Sequence, residues 1–587
     1  MQTQSQNIAA PPPPDIIQGI KYRWNIKSVD EANVRTTAYA HSLSLPIAHV
    51  LTSRGFTDNE QVRAFLFSSF EQDVPDARLF KGMDIAVMRI VRALKNNEKI
   101  LIFGDYDVDG VTSASLMLTA LLPLGAKINF FLPNRARDGY GLSEKAVKQA
   151  HKNGYSLIIT VDNGIAAFAP AELAQKLGID LIITDHHRAH DHVPPALAII
   201  NPNQHDCPYP FKSLAGVGVA FKLVSKIYEE LGIKKLPEKT YELLLLGTVA
   251  DVVPLLGENR YWVRHGLYLI NEFRSNAMQA LAANSNLTKE AYNSLDIGFM
   301  IAPQINALGR LADAREAVKF MISSDRSEVD RIAQILKTMN EERKRVDRAI
   351  YEEIEQSIIS KKIDLERDYV IVAASNSWPA GVIGLVAGKL MHNYGRPTLL
   401  FHLDDKGFAK GSCRSIPEFN IFDALTASND LLIQFGGHSF AAGLKLKKEN
   451  VPELKERISQ RLAQQLTLQE LQPKLQLDAP LQLPDINQKF MSDLEQLEPF
   501  GNQNPQPLFW VKDVTLIKPP QLLKEKHVKC LVFAQGVIKP VVFFNRPDLF
   551  QVLESIGEKS FHLAAHVTKN EWGGVTKLEL QGLDLAF

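Results

Sequence analysis

Cysteine is scarce in this 587-residue chain, and net charge is absent. Cys207, Cys413 and Cys530 are odd in number and far apart, with no C-x-x-C pair. That excludes a disulfide framework, a thiolate zinc site and a dithiol shuttle, and leaves three reduced bystanders. The 66 Lys and Arg cancel the 66 Asp and Glu, so nothing advertises nucleic-acid binding by global charge, and any phosphate-binding surface has to be local. Long apolar runs are missing too: the most apolar, Leu243–Leu256, is too short to cross a bilayer and carries Asp251 inside it. The stretch Met1–Asp15 has no Lys or Arg and no apolar core, so it lacks the parts of a secretory signal. With Pro11–Pro14 it reads as an extended, solvated tail. A cytoplasmic location without membrane contact is the expectation.

What is present is ordinary globular material, 45% apolar, in a length that predicts three or four domains. From about Lys99 to Asn203 short apolar β-rich runs alternate with helical stretches, the pattern of βαβ units on a parallel sheet. The runs Ile100–Phe103, Lys127–Leu132, Leu157–Val161, Leu181–Thr184 and Leu197–Ile200 are followed by unusual loops. These read Gly104-Asp-Tyr-Asp-Val-Asp-Gly110, Pro133-Asn-Arg135, Asp162-Asn-Gly164, Asp185-His-His187 and Asn201-Pro-Asn203. Ligands of open α/β sheets bind at the carboxyl ends of the strands, so these loops are expected to share one crevice.

In an extended loop residues two apart point the same way, so Asp105, Asp107 and Asp109 would present three carboxylates to one side. Such a cluster needs cations or abundant water, and taken alone it could equally be a solvated acidic turn. Asp162 and Asp185-His186-His187 after neighbouring strands tip the reading toward a two-metal centre. Asp251, inside an apolar run, either joins that centre or is paired structurally. Carboxylate and imidazole donors without thiolates suit Mn²⁺, with Mg²⁺ as the alternative, and the chemistry implied is metal-assisted phosphoester hydrolysis.

The ordered motifs Gly104–Gly110, Val161-Asp-Asn-Gly164, Thr184-Asp-His-His187 and Gly247-Thr-Val-Ala-Asp251 resemble those of the DHH phosphoesterase superfamily. With Pro133-Asn-Arg135, Asn306-Ala-Leu-Gly-Arg310, Gly411-Ser-Cys-Arg-Ser-Ile416 and Gly436-Gly-His438 they resemble its RecJ family of single-strand-specific 5′→3′ exonucleases, from about Arg54 to the C-terminus. The resemblance implies Asp107, Asp109, Asp162, His186 and Asp251 as metal ligands, with Asp105 in the same motif. It implies His187 and His438 at the scissile phosphate, and Arg135, Arg310, Ser412 and Arg414 on the phosphates of the strand, including its 5′ end. Phe103 departs from small-molecule members of the superfamily, some of which carry a His ligand there; one tight ion with a weaker second site is therefore an open alternative.

The implied fold is α/β: a parallel-sheet DHH domain (46–285) after a tail and lead-in (1–45), then a helical linker (286–362) whose charged stretch Arg315–Lys362 forms one long helix. A smaller α/β DHHA1-type domain (363–460) and a C-terminal all-β OB-fold (461–587) follow. In the last, seven Lys or Arg between Lys512 and Arg546 face only Asp513 and Glu525, a local basic excess, with Phe533, Phe543 or Phe544 as base-stacking platforms or as barrel core. A slot between two domains would admit one strand and exclude a duplex. The function expected is degradation of single-stranded DNA to mononucleotides in repair and recombination, by a monomer, with single-strand-binding protein and a helicase as partners by resemblance. The alternatives are a phosphodiesterase on short oligonucleotides or cyclic dinucleotides and a non-catalytic single-strand-binding scaffold.

Overall fold

A computed structural model describes residues 15–133, 139, 141–311, 314–572 and 575–587. The proline-rich tail lies outside them. The chain forms two compact units. One comprises Ala64–Lys344 with Glu498–Pro505; the other holds the described residues up to Arg63, then Arg345–Leu497 and Gln506–Phe587.

The first unit is built on a five-stranded, wholly parallel sheet of strands Lys99–Phe103, Lys127–Phe131, Leu157–Val161, Asp180–Thr184 and Ala198–Ile200. All five lie at the apolar runs expected from the sequence. Alternation within a strand feeds two cores: Ile100 and Ile102 pack under helices Met83–Lys95, Val108–Leu121 and Gly216–Glu230, while Leu101 and Phe103 pack under Glu144–Lys152 and Phe168–Lys176. Lys127–Phe131 pairs on one side of Lys99–Phe103, and Leu157–Val161 on the other. The connection leaving Lys99–Phe103 runs to Lys127–Phe131 and the one leaving Leu157–Val161 runs to Asp180–Thr184, so the two diverge to opposite sides and open a crevice at the carboxyl ends. Helix Lys239–Ala250 buries Leu243–Leu246, and Asp251 caps its C-terminus, so the interrupting acid marks a helix end.

The charged stretch expected as one helix is two. Arg315–Ile322 ends at Ser323, and Arg326–Ile359 begins after Asp325, whose carboxylate accepts the N–H of Ser327 at 2.9 Å. The 34-residue helix is not merely a solvated strut: Val329, Ile332 and Leu336 enter the first core, and Ile350 and Ile354 a core of the second unit.

The second unit contains a mixed sheet in the order Leu432–His438, Ala441–Lys447, Phe408–Arg414, Thr398–Leu403, Ile371–Ser375, with only the last pair parallel. It also contains a seven-stranded sheet from Ala479–Leu481 to Val575–Ala586, which the extra pairing of Phe509–Leu516 with His527–Ala534 curls into a barrel. The lead-in is folded from Asp15 onward: Asp15–Gln18 pairs with Arg23–Ile26, which pairs with Lys474–Leu477. Phe543 is fully buried and is barrel core, not a stacking platform; Phe533 and Phe544 are half exposed. Of the seven basic residues, Arg546 is engaged by Asp548 and Asp584.

Candidate metal centre

The acidic loop after Lys99–Phe103 is not extended throughout. Asp107 is the N-cap of helix Val108–Leu121, accepting the N–H of Gly110 at 3.1 Å, and Asp109 lies in its first turn. The helix start, rather than strand alternation, sets where these carboxylates point. The N–H groups of Gly216 and Val217, opening helix Gly216–Glu230, donate to the two oxygens of buried Asp109 at 2.6 and 2.8 Å. Asn306 fixes the same turn by accepting the N–H of Val108 at 3.2 Å.

Asp162 follows the adjacent strand with a left-handed φ of 60° and is buried. Its Oδ1 lies 3.1 Å from Nε2 of His186, and neither atom has a hydrogen-bond partner. The same Nε2 is 3.8 Å from Asp109 Oδ2 and 3.7 Å from Asp251 Oδ2. Three overlapping triads have their donor atoms within 4.8 Å of one another: Asp105 with Asp107 and Asp162, Asp109 with His186 and Asp251, and Asp162 with His186 and His187. The structure thus gathers every acidic and imidazole residue expected in the catalytic sheet, Asp105 included. Two buried, unsatisfied donor atoms facing each other among carboxylates call for a cation, and an oxygen-rich set with imidazole and no thiolate fits Mn²⁺ or Mg²⁺.

The electrostatics agree. Burial, then repulsion from Asp107, pushes Asp109 up to about 7. Burial, then Asp109 and Asp107, pushes Asp251 up to about 9. Asp162 is also raised, by burial and four neighbouring carboxylates. Burial, then the neighbouring His187, lowers His186 to about 4, keeping it the neutral imidazole a metal requires. His187 is raised instead: burial opposes its charge, but the hydrogen bond from Nδ1 to Asp185 Oδ1, at 2.7 Å, and the charge of Asp185 prevail.

Asp185, quoted in its motif but not singled out from sequence, organises this loop. It also accepts the N–H groups of Ile165, His186 and His187 at 2.9, 2.7 and 3.1 Å. Asn201 and Asn203 donate to the carbonyls of His187 and His186 at 2.9 and 2.6 Å, giving the odd Asn-Pro-Asn loop a purpose. Gly216 carried no sequence signal; only the fold shows that a Cβ there would lie 2.7 Å from Asp162 Cβ.

In the second unit Ser412 and Arg414 lie on strand Phe408–Arg414, and His438 on Leu432–His438. Arg414 and His438 both oppose Ala441 on the strand between them, so with Ser412 they share one face of the sheet. Arg414 Nη1 donates to the Cys413 carbonyl at 2.8 Å and to Ser412 Oγ at 3.3 Å, and a Cβ on Gly384, in the first turn of helix Ile383–Tyr394, would meet Ser412 Oγ at 2.8 Å. Arg414, Ser412 and a helix N-terminus therefore converge, with His438 exposed. Arg135 lies outside the described residues; Arg310 is on helix Ala302–Leu311, its side chain outside the description.

Family models match three stretches: the DHH family N-terminal domain at residues 99–248, the DHHA1 domain at 367–464 and the RecJ OB domain at 477–584. The single-stranded-DNA-specific exonuclease RecJ of Bacillus subtilis is 36% identical over 96% of this chain and 71% of its own length. That of Escherichia coli is 35% identical over 85% of this chain and 89% of its own. The chain belongs to the RecJ family. A crystal structure of RecJ from Thermus thermophilus in complex with Mn²⁺ superposes with a TM-score of 0.81 at 27% identity, over 97% of this chain and 80% of that one. The Mg²⁺ complex gives 0.75 at 25% identity, covering 97% and 79%.

Proposed function

We infer that this chain is a metal-dependent exonuclease that degrades single-stranded DNA, using Mn²⁺ or Mg²⁺. One observation carries the reading: in a member of the RecJ family, Asp162 Oδ1 and His186 Nε2 face each other 3.1 Å apart, buried and unsatisfied, among Asp105, Asp107, Asp109 and Asp251. Asp107, Asp109, Asp162, His186 and Asp251 are proposed as ligands, with Asp105 completing the cluster. When bound, the metal supplies Lewis-acid charge for activating water and neutralising phosphodiester oxygens.

The protein's own groups do the rest. The N-terminus of helix Gly216–Glu230 orients both oxygens of Asp109. Asp185 holds His187 through Nδ1, which commits Nε2 to the scissile phosphate and favours the charged ring that a phosphate attracts. By the family resemblance Ser412, Arg414 and His438 in the second unit are proposed as phosphate-binding residues, as are Arg135 and Arg310, for the strand and its 5′ end. Attack from the 5′ end, mononucleotide products and a role in DNA repair and recombination follow from the family resemblance. On the same ground we propose single-strand-binding protein and a helicase as partners, a monomeric enzyme and a cytoplasmic location. Among the described residues no helix is long and apolar enough to cross a membrane.

The test is digestion of single-stranded DNA labelled at the 5′ or the 3′ end, with Mn²⁺, Mg²⁺ or EDTA, beside Asp109→Ala. The expected result is mononucleotide release from the 5′ end that requires both metal and Asp109. Binding without release would indicate a scaffold, and release from very short oligomers alone a small-substrate phosphodiesterase. Arg310→Ala and Arg414→Ala should lose chiefly the preference for a 5′-phosphate over a 5′-hydroxyl; equal losses on both would refute their assignment.

A further inference from the structure

The segment Glu498–Pro505 is far from the catalytic sheet in sequence, and falls within the stretch matched by the OB-domain model, yet it packs as part of the catalytic unit. It is a closed loop: Gly501 and Asn504 exchange backbone hydrogen bonds at 2.8 and 3.1 Å, and the Asn504 side chain donates to the Pro499 carbonyl at 2.8 Å. Ser294 Oγ ties it to the unit through the Phe500 carbonyl at 2.6 Å. A Cβ on Gly501 would lie 2.5 Å from Leu255 Cδ1, so glycine permits the close approach of this loop to the turn after Asp251.

That turn is strained. Val252, next to Asp251, has a φ of 59°, a left-handed backbone that a β-branched residue rarely adopts, and the residue is 64% exposed, so no packing compels it. Hydrogen bonds hold it instead. Asn502 donates its side-chain amide to the Val252 carbonyl at 2.6 Å, and its own carbonyl accepts the Leu255 N–H at 2.9 Å. Asn259 anchors the inner side, donating to the carbonyls of Pro254 and Ser213 at 3.0 and 2.6 Å.

We propose that Asn502 is a positioning residue for the metal centre: its two hydrogen bonds hold the left-handed turn at Val252 and thereby aim the Asp251 carboxylate at the cation. The proposal rests on the reading of Asp251 as a ligand. It makes the metal affinity of the catalytic unit depend on a segment between the barrel strands Ala479–Leu481 and Phe509–Leu516, some 250 positions from the ligand it serves.

The test is direct Mn²⁺ binding to the full-length protein, by calorimetry and by electron paramagnetic resonance of the free ion, alongside the Mn²⁺ dependence of nuclease activity. Direct outer partners of metal ligands are worth about 10–100-fold in affinity; Asn502 acts through the turn next to the ligand, so Asn502→Ala is expected at the low end, binding Mn²⁺ about tenfold more weakly. The half-saturating Mn²⁺ for activity should rise in parallel. Asparagine tolerates the left-handed region, so Val252→Asn in the Asn502→Ala background is expected to restore most of the affinity, which a general loss of stability would not allow. Parent-like binding by Asn502→Ala while Asp251→Ala binds weakly would overturn the positioning role alone, as would failure of Val252→Asn to restore affinity. Parent-like binding by Asp251→Ala would overturn the ligand reading and the positioning role with it.

Discussion

Replacing Gly216 by alanine should damage the metal centre although no residue proposed as a ligand is substituted. The added methyl would sit 2.7 Å from Asp162 Cβ, 2.8 Å from Asp162 Oδ1 and 2.9 Å from Asp109 Oδ2. Carbon contacts are comfortable at about 3.5–4.0 Å, so helix or carboxylates must yield by roughly 1 Å. The helix cannot withdraw without breaking the hydrogen bonds of Gly216 and Val217 to Asp109, and Asp162 is set by a left-handed backbone. Overpacking of this kind costs about 1–3 kcal/mol. The displaced atoms are those that meet the cation, so the cost should fall mainly on the metal-bound state, and each 1.4 kcal/mol is about tenfold in affinity. Calorimetric titration with Mn²⁺ should therefore show about a 10–100-fold weaker site. Gly218→Ala, in the same helix turn, is the control: the three atoms nearest its methyl would all belong to Leu214, the closest being the flexible Cδ2 end at 3.1 Å, and the parental affinity should persist. Equal Mn²⁺ affinities for the two variants would refute the reasoning.

Three further outcomes follow from the same geometry. Asp109 at about 7 and Asp251 at about 9 titrate above an unfolded carboxylate near pH 4, so the metal-free folded state holds extra protons and loses stability as pH rises through that window. Melting in EDTA should fall from about pH 6 to about pH 9, and Mn²⁺ should raise the melting temperature more at the alkaline end; a pH-independent Mn²⁺ effect would contradict this. Asp185→Asn removes the charge that raises His187, so the alkaline limb of the pH–rate profile should move to lower pH and cleavage should fall about 10–100-fold, whereas an unchanged profile would remove His187 from its assigned role. In the second unit Arg54 donates to both oxygens of Asp478, at 2.9 and 3.1 Å, with both side chains 11% exposed. Arg54→Ala should lower stability to urea by about 3 kcal/mol, and a loss under about 0.5 kcal/mol would show the pair to be dispensable.

The parallel sheet was legible because its strands are apolar, β-rich runs and its loops break that pattern with acids and histidines; a shared crevice was expected because ligands of open α/β sheets bind at strand carboxyl ends, while the strand order that opens it came from the fold. The acidic loop was misread locally: alternation suggested three carboxylates in a row, whereas Asp107 caps a helix and Asp109 enters it, since an Asp ahead of a helix-forming run satisfies the free N–H groups of the first turn. The basic C-terminal stretch showed charge but not which aromatics are buried, because strand period alone does not reveal which face of Phe543 meets the core.

The sequence by itself determined the order of elements, the chemical type of the donors and their place at strand ends, because hydrophobic periodicity and turn chemistry act over a few residues. Only the tertiary structure decided which backbone groups orient Asp109, which atoms of Asp162 and His186 lack partners, and that a loop near residue 500 holds the turn beside Asp251. Those are contacts between residues tens to hundreds of positions apart. Chain closure and packing select them, and no local pattern in the sequence encodes them.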